Sequence, residues 1–342
     1  MDRARLVAAA SAGATATIGR VPSEPIVHPG WCVNLVGAAQ VRADERVLVV
    51  VDEPLVEEGA QLADTLRTAG AEPRLELWAA TERPMASAPE PVLEAARSSS
   101  VCLFLSERPL GAEASARFEL GEAVLEAGGR EIYLGLVDGE LLRGELSEPV
   151  PDLTAPARGL LARLDGCSTV RIRGRAGTDL ELRVEGRPWL TDATPLERGD
   201  FANFPGGEIF VAPHRDGAEG ILVADLTVPY TVEGLVDEPV VLRFEQGRVR
   251  SIQGGRAAAL LRKLVEEAGE GADVVAELGI GLNTAVKPRG HVMLDEKAAG
   301  TAHVAIGRNT GSYGGDNEAS IHVDMIFSAP TLEVDGRPVE LP

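Results

Sequence analysis

The stretch that most limits the fold is ERVLVVVD (45–52), whose centre is apolar at every position. A strand with one wet face alternates apolar and polar residues. A run without that alternation fits a strand covered on both faces, as in a parallel sheet flanked by helices. The next ninety or so positions keep to that plan. A helix-period segment (56–69) closed by Gly70 leads to a strand near 74–77. A helix near 91–97, the strand VCLFL (101–105), a helix over 112–127 ended by Gly128 and Gly129, and a strand at 131–136 follow. Strands alternating with helices imply a doubly wound, Rossmann-like α/β domain with a parallel sheet, expected over residues 1–150. It carries no nucleotide fingerprint: there is no P-loop and no GxGxxG after the first strand, and HExxH and GxSxG are also missing. Before it, HPGWCVN (28–34) reads as a loop or a strand edge.

The run SEPVPDLTAP (147–156) is turn-rich and marks a boundary. A helix near 157–164 then precedes strands at 169–173, 179–184, 208–212, 220–225 and 240–245, with a helix over 256–268 and more strand-like pieces after it. The second domain, 151–342, is therefore expected to be α+β and rich in strands.

Charge narrows the function. Fifty-three acidic against 33 basic residues leave a formal net charge of -20. A nucleic-acid binder needs a basic face to replace counterions, and an anionic membrane surface repels such a chain. Neither partner is expected, whereas a divalent cation is well tolerated. Cys32, Cys102 and Cys167 are odd in number and far apart, so neither a disulfide framework nor a cysteine-zinc site is expected. The N-terminal stretch lacks a compact Leu-rich core, and no run of about 18 apolar residues exists. The expected location is cytoplasmic.

Only five histidines occur, so their contexts are informative. In SIHVDMIF, His322 and Asp324 stand two apart and share one face of a strand. That pair suits a metal, a proton transfer or a plain buried hydrogen bond. His303 opens HVAIG and reads equally as an ordinary satisfied histidine. Glu277 sits inside the apolar VVAELGIGLN, where an unpaired charge would cost several kcal/mol, so it needs a metal, an arginine or exposure. Glu208 follows the tight turn of Pro205, Gly206 and Gly207 and opens an apolar strand, at which an exposed Glu is also ordinary. Together, three carboxylates and two imidazoles suit two divalent ions better than one. The glycine-rich TGSYGGDN (310–317) reads as a loop beside such a site or an anion cradle.

Taken in order, RADERVLVVVD, GRAGTDLEL, NFPGGEIFVAPHRDGAEGILVAD, AELGIGLN, LDEKAAGTAHVAIG and SIHVD resemble the family of aminopeptidases T and S, over about residues 42 to 340. The resemblance implies dinuclear metallo-aminopeptidases of the leucyl aminopeptidase class, usually with zinc, with cobalt or manganese in its place. It also implies an N-terminal α/β domain, a metal-bearing C-terminal domain, a homodimer and a peptide or small-molecule substrate. Motif by motif, it assigns Glu208, Glu277, His303, His322 and Asp324 as metal ligands. Glu296 in the DEK motif becomes the acid–base candidate. A tyrosine ligand of the family falls on Thr310 here, with Tyr313 nearby, and this departure bears on peptidase activity more than on metal binding. The same superfamily includes iron-dependent 2,5-dihydroxypyridine dioxygenases with a two-histidine, one-carboxylate set. Retention of Glu208 and Glu277 leans toward the peptidase pattern. A non-catalytic peptide-binding member is the third alternative.

Overall fold

The computed structural model describes residues 28–79, 83–107 and 113–342. The N-terminal stretch, residues 1–27, lies outside them. The described residues fall into two units: one runs up to Pro149 and takes in Leu196–Phe201, and the other comprises Val150–Pro195 and Ala202–Pro342. Among the described residues, no helix is long and apolar enough to cross a membrane.

In the first unit, β1 (Arg46–Val51), β2 (Glu72–Leu77), β3 (Val101–Leu105) and β4 (Arg130–Leu134) pair in parallel in the order β2-β1-β3-β4. A short strand, Phe201–Asn203 (β8 in chain order), starts at Phe201, the last residue of the returning segment of this unit. Every residue of β3 and β4 is buried, which is why these segments carry no alternation. Leu48, Val50, Cys102 and Phe104 pack with Val92 of α3 (Glu90–Arg97) and Leu120 of α4 (Ala114–Glu126). Helix α2 (Val56–Thr68) ends as expected at Gly70, whose φ of 86° suits glycine. A short helix, α5 (Gly139–Arg143), is capped by Asp138, whose carboxylate accepts from the Leu141 N–H at 2.8 Å.

One expectation is corrected. Of residues 28–34, only His28 and Pro29 are loop: from Gly30 the chain is helical, and Gly30–Ala38 form α1. Trp31, Cys32, Leu35 and Ala38 are buried, the spacing of one helical face. Two glycines and two valines hide it from propensity, and burial decides.

The second unit holds two antiparallel sheets. The larger runs β12-β11-β10-β6-β5-β16-β17, from β5 (Thr169–Arg173), β6 (Asp179–Arg183), β10 (Ala218–Ala224), β11 (Val240–Glu245), β12 (Arg248–Gln253), β16 (Thr331–Val334) and β17 (Arg337–Val339). The smaller runs β15-β14-β13-β9-β7, from β7 (Leu190–Thr191), β9 (Glu208–Val211), β13 (Val275–Gly281), β14 (Thr301–Gly307) and β15 (His322–Ser328). Apolar residues of both sheets, such as Ile172, Leu222, Leu278 and Met325, join one core with Leu160 of α6 (Thr154–Leu164) and Leu261 of α7 (Arg256–Ala268). Helix α6 begins inside the turn-rich run; Pro156 falls in its first turn, where a missing N–H costs nothing. The one-turn helix α8 (Val292–Asp295) precedes β14.

Candidate metal centre

The smaller sheet sorts its side chains by strand alternation. Leu278, Ile280, Val304, Ile306, Val323 and Met325 belong to the core. Residues of the opposite parity, Glu277, His303, His322 and Asp324, share the other face. Register brings them together: Ala305 on β14 pairs with Glu277 on β13 and with Asp324 on β15, while His303 lies opposite Gly279 and Gly307 opposite His322. Glycine or alanine at 279, 305 and 307 leaves room between the functional groups. Glu208 enters from β9, opposite Gly281.

All five candidate ligands converge. Glu208, Glu277 and His303 form one group with donor atoms within 4.8 Å of one another, and Glu277, His322 and Asp324 form a second. Glu277 belongs to both: its Oε1 lies 3.3 Å from His303 Nε2 and its Oε2 3.3 Å from His322 Nε2. His322 Nε2 is also 3.1 Å from Asp324 Oδ1. His322 Nδ1 donates to the Arg308 carbonyl at 2.7 Å, which leaves Nε2 unprotonated for a ligand when the ring is neutral. His303 Nε2 lies 3.6 Å from Glu208 Oε2, an oxygen that is buried without a hydrogen-bond partner.

Three further residues were not legible as site residues. Lys297 is fully buried, and its ammonium contacts Glu208 Oε1, Asp192 Oδ2 (3.0 Å) and Glu296 Oε1 (3.0 Å). Asp192 also accepts from the Gly207 and Glu208 N–H groups, both at 2.9 Å, and so fixes the backbone where the ligand leaves it. Gly279 is required because a Cβ there would overlap the His303 ring. A lysine following Glu in a polar turn carries no sequence signal of burial, and Asp192 is far from every motif. The acid–base candidate Glu296 is buried and joined to Glu208 only through the Lys297 ammonium, with Asp324 and His303 near enough to act on its charge.

Tyr313 meets the site: its ring centroid lies 4.8 Å from that of His322. Thr310 has a buried hydroxyl without a hydrogen-bond partner. The glycine-rich segment is pinned at its neck, where Asn309 Oδ1 accepts from the Asn317 N–H (2.8 Å) and Asn309 Nδ2 donates to the Ala276 carbonyl (3.0 Å).

The electrostatics call for cations. Burial alone would lower His303, but Glu277, Glu208 and Asp324 outweigh it and push its imidazole up to about 9. Burial and the crowding of Asp192 and Glu296 raise Glu208, against the pull of Lys297. Glu277 is held low despite burial by its bonds to His303 and His322. Lys297 is held well above its ordinary value by three carboxylates that overcome its burial. Asp192, Glu208, Glu277, Glu296 and Asp324 set five carboxylates against this one fixed cation. Metal ligation requires neutral imidazoles and ionised carboxylates, and in that state the seven side chains with Lys297 would carry four negative charges, the charge of two divalent ions. Uncompensated buried charge is costly, and the oxygen–imidazole donor set suits zinc-like or harder divalent ions. The residues therefore fit divalent metal ions.

A family model described as thermophilic metalloprotease (M29) matches residues 157–340, a stretch that contains every one of these side chains. The chain belongs to the thermophilic metalloprotease (M29) family. Within M29, it is 31% identical over 180 residues to aminopeptidase T of Thermus aquaticus, a match covering 47% of this chain and 43% of that protein. The sequence match thus spans less than half the length of the relative. In fold, the M29 chain is similar to the structure of 2,5-dihydroxypyridine dioxygenase from Pseudomonas putida KT2440, with a TM-score of 0.75 at 19% identity, covering 93% of this chain and 97% of that one. It is also similar to AmpT from Thermus thermophilus, with a TM-score of 0.64 at 19% identity and coverage of 91% and 96%.

Proposed function

We propose that this chain is a metal-dependent aminopeptidase that removes N-terminal residues from peptides. The observation that carries the reading is Glu277, whose two oxygens each lie 3.3 Å from a different imidazole within the stretch matched by the M29 family. Glu208, Glu277 and His303 would hold one divalent ion, and Glu277, His322 and Asp324 a second. When bound, such ions supply Lewis acidity toward a peptide carbonyl and toward water. The chain's own side chains do the rest. His322 and Asp324, 18% and 14% exposed, border the side open to a substrate. Glu296 would take up and return the proton at its carboxylate. Zinc, with cobalt or manganese in its place, leucine-like N-terminal residues, a homodimer and a cytoplasmic location belong to the same reading. So does the assignment of residues 1–150 as an α/β domain and 151–342 as the catalytic domain.

The test is turnover of leucyl-p-nitroanilide and short peptides by protein loaded with zinc, cobalt or manganese. Absence of turnover with all three removes the proposal.

A second reading has one observation in its favour. His303, His322 and Asp324 also form a two-histidine, one-carboxylate set, with His303 Nε2 3.9 Å and His322 Nε2 3.1 Å from Asp324 Oδ1. Such a set serves mononuclear iron oxygenases. One iron per chain with oxygen uptake on a dihydroxypyridine would replace the peptidase reading.

A further inference from the structure

The ion pair between Lys297 and Glu208 lies inside the proposed metal centre, yet the lysine cannot be a ligand there: an ammonium has three donors and no acceptor. Its three contacts are Glu208 Oε1, Asp192 Oδ2 and Glu296 Oε1. The position is closely fixed. The Lys297 carbonyl accepts from the Asn283 N–H at 2.8 Å, and Asn283 Nδ2 donates to the Gly206 carbonyl at 2.9 Å. Asp192 ties the same turn from the other side through the Gly207 and Glu208 N–H groups. Lysine and ligand are therefore held to one backbone frame.

The two oxygens of Glu208 have different fates. Oε1 is taken by the ammonium, whereas Oε2 is buried, lacks a hydrogen-bond partner and lies 3.6 Å from His303 Nε2. Glu296 is engaged by the same ammonium through Oε1. We propose that Lys297 is a positioning residue that limits Glu208 to a single ligating oxygen and keeps Glu296 out of the coordination shell, free to exchange protons. This rests on the reading of the five residues as a metal centre. Without the ammonium, Glu208 would be free to chelate through both oxygens and Glu296 to become a ligand. Either change raises the coordination number, and the second also removes the proton carrier.

The experiment is visible absorption of cobalt(II)-loaded full-length protein, with cobalt content measured on the same samples. Two variants are compared with the wild type: Lys297→Met, and Lys297→Met combined with Asp192→Asn. The double change removes one charge of each sign, so the buried balance is kept, and the Asn oxygen still accepts from Gly207 and Glu208. Tetracoordinate cobalt absorbs more strongly than five- or six-coordinate cobalt. Both variants are expected to keep the wild-type cobalt content and to absorb less per cobalt by about twofold or more. Spectra that superimpose on the wild type, or loss of cobalt from both variants, would overturn the role of Lys297. A wild-type protein that takes up no cobalt would instead remove the metal centre itself.

Discussion

Gly279 on β13 lies directly opposite His303 on β14, and the imidazole lies over the glycine. The ring occupies the volume a Cβ would need, so the small residue on one strand sets where the nitrogen on the next can point.

Gly279→Ala follows from this. The backbone at 279 has no left-handed φ, so alanine is tolerated in conformation but displaces the ring. Zinc affinity at the Glu208–Glu277–His303 group should fall by about 10- to 100-fold, the usual scale for a misdirected ligand. Competition with a chromophoric chelator measures it. An unchanged affinity would mean that the ring has somewhere else to go.

Glu277→Gln tests the shared carboxylate. Since each oxygen faces a different histidine, one substitution weakens both groups, whereas His322→Ala weakens one. Metal analysis after gel filtration should find less than one equivalent in the first variant and about one in the second. Two equivalents retained by Glu277→Gln would rule out a bridging role.

The first unit offers a pH dependence free of metal. Glu131 is 2% exposed, and burial pushes its carboxyl from 4.5 up to about 8, against the attraction of Arg117. A folded pKa above the unfolded one means that the favourable state is the protonated one. Its stability is fully present below pH 4.5 and is lost as pH rises through 8. Glu131→Gln keeps the shape without the charge. It should raise stability at pH 8 by a few kcal/mol, since each tenfold change in proton affinity is worth about 1.4 kcal/mol, and change little near pH 4. Urea unfolding at the two pH values checks this, and equal effects at both would contradict it.

Asp295, fully buried, organises the turn that carries Glu296 and Lys297. It accepts from Thr227 Oγ1 (2.5 Å), the Arg289 N–H (2.8 Å) and the Gly290 N–H (2.7 Å). Asp295→Ala strands three donors and should cost about 3 kcal/mol or more. The unfolding midpoint should drop, with activity falling further than the folded fraction does. A midpoint within error of the wild type would show that water replaces the carboxylate.

Much of this molecule is written in local patterns. The unbroken apolar runs of β1 and β3, and the glycine stops after α2 and α4, announce a parallel α/β layer because burial on both faces removes alternation. The spacing of His322 and Asp324 places both on one strand face because side chains alternate with period two. Helix α7 is legible over its whole length, Arg256–Ala268, from its apolar period. Tertiary structure decided the rest. Glu277 meets His303 and His322 only through the register of three antiparallel strands, and the His303 partner alone lies 26 positions away along the chain. Burial of Lys297 is equally non-local: a lysine enters the interior only where folding has already gathered the carboxylates that replace its water. Helix α1 forms for the same reason, since its weak helix formers are held by the surface they bury against and not by their own propensity.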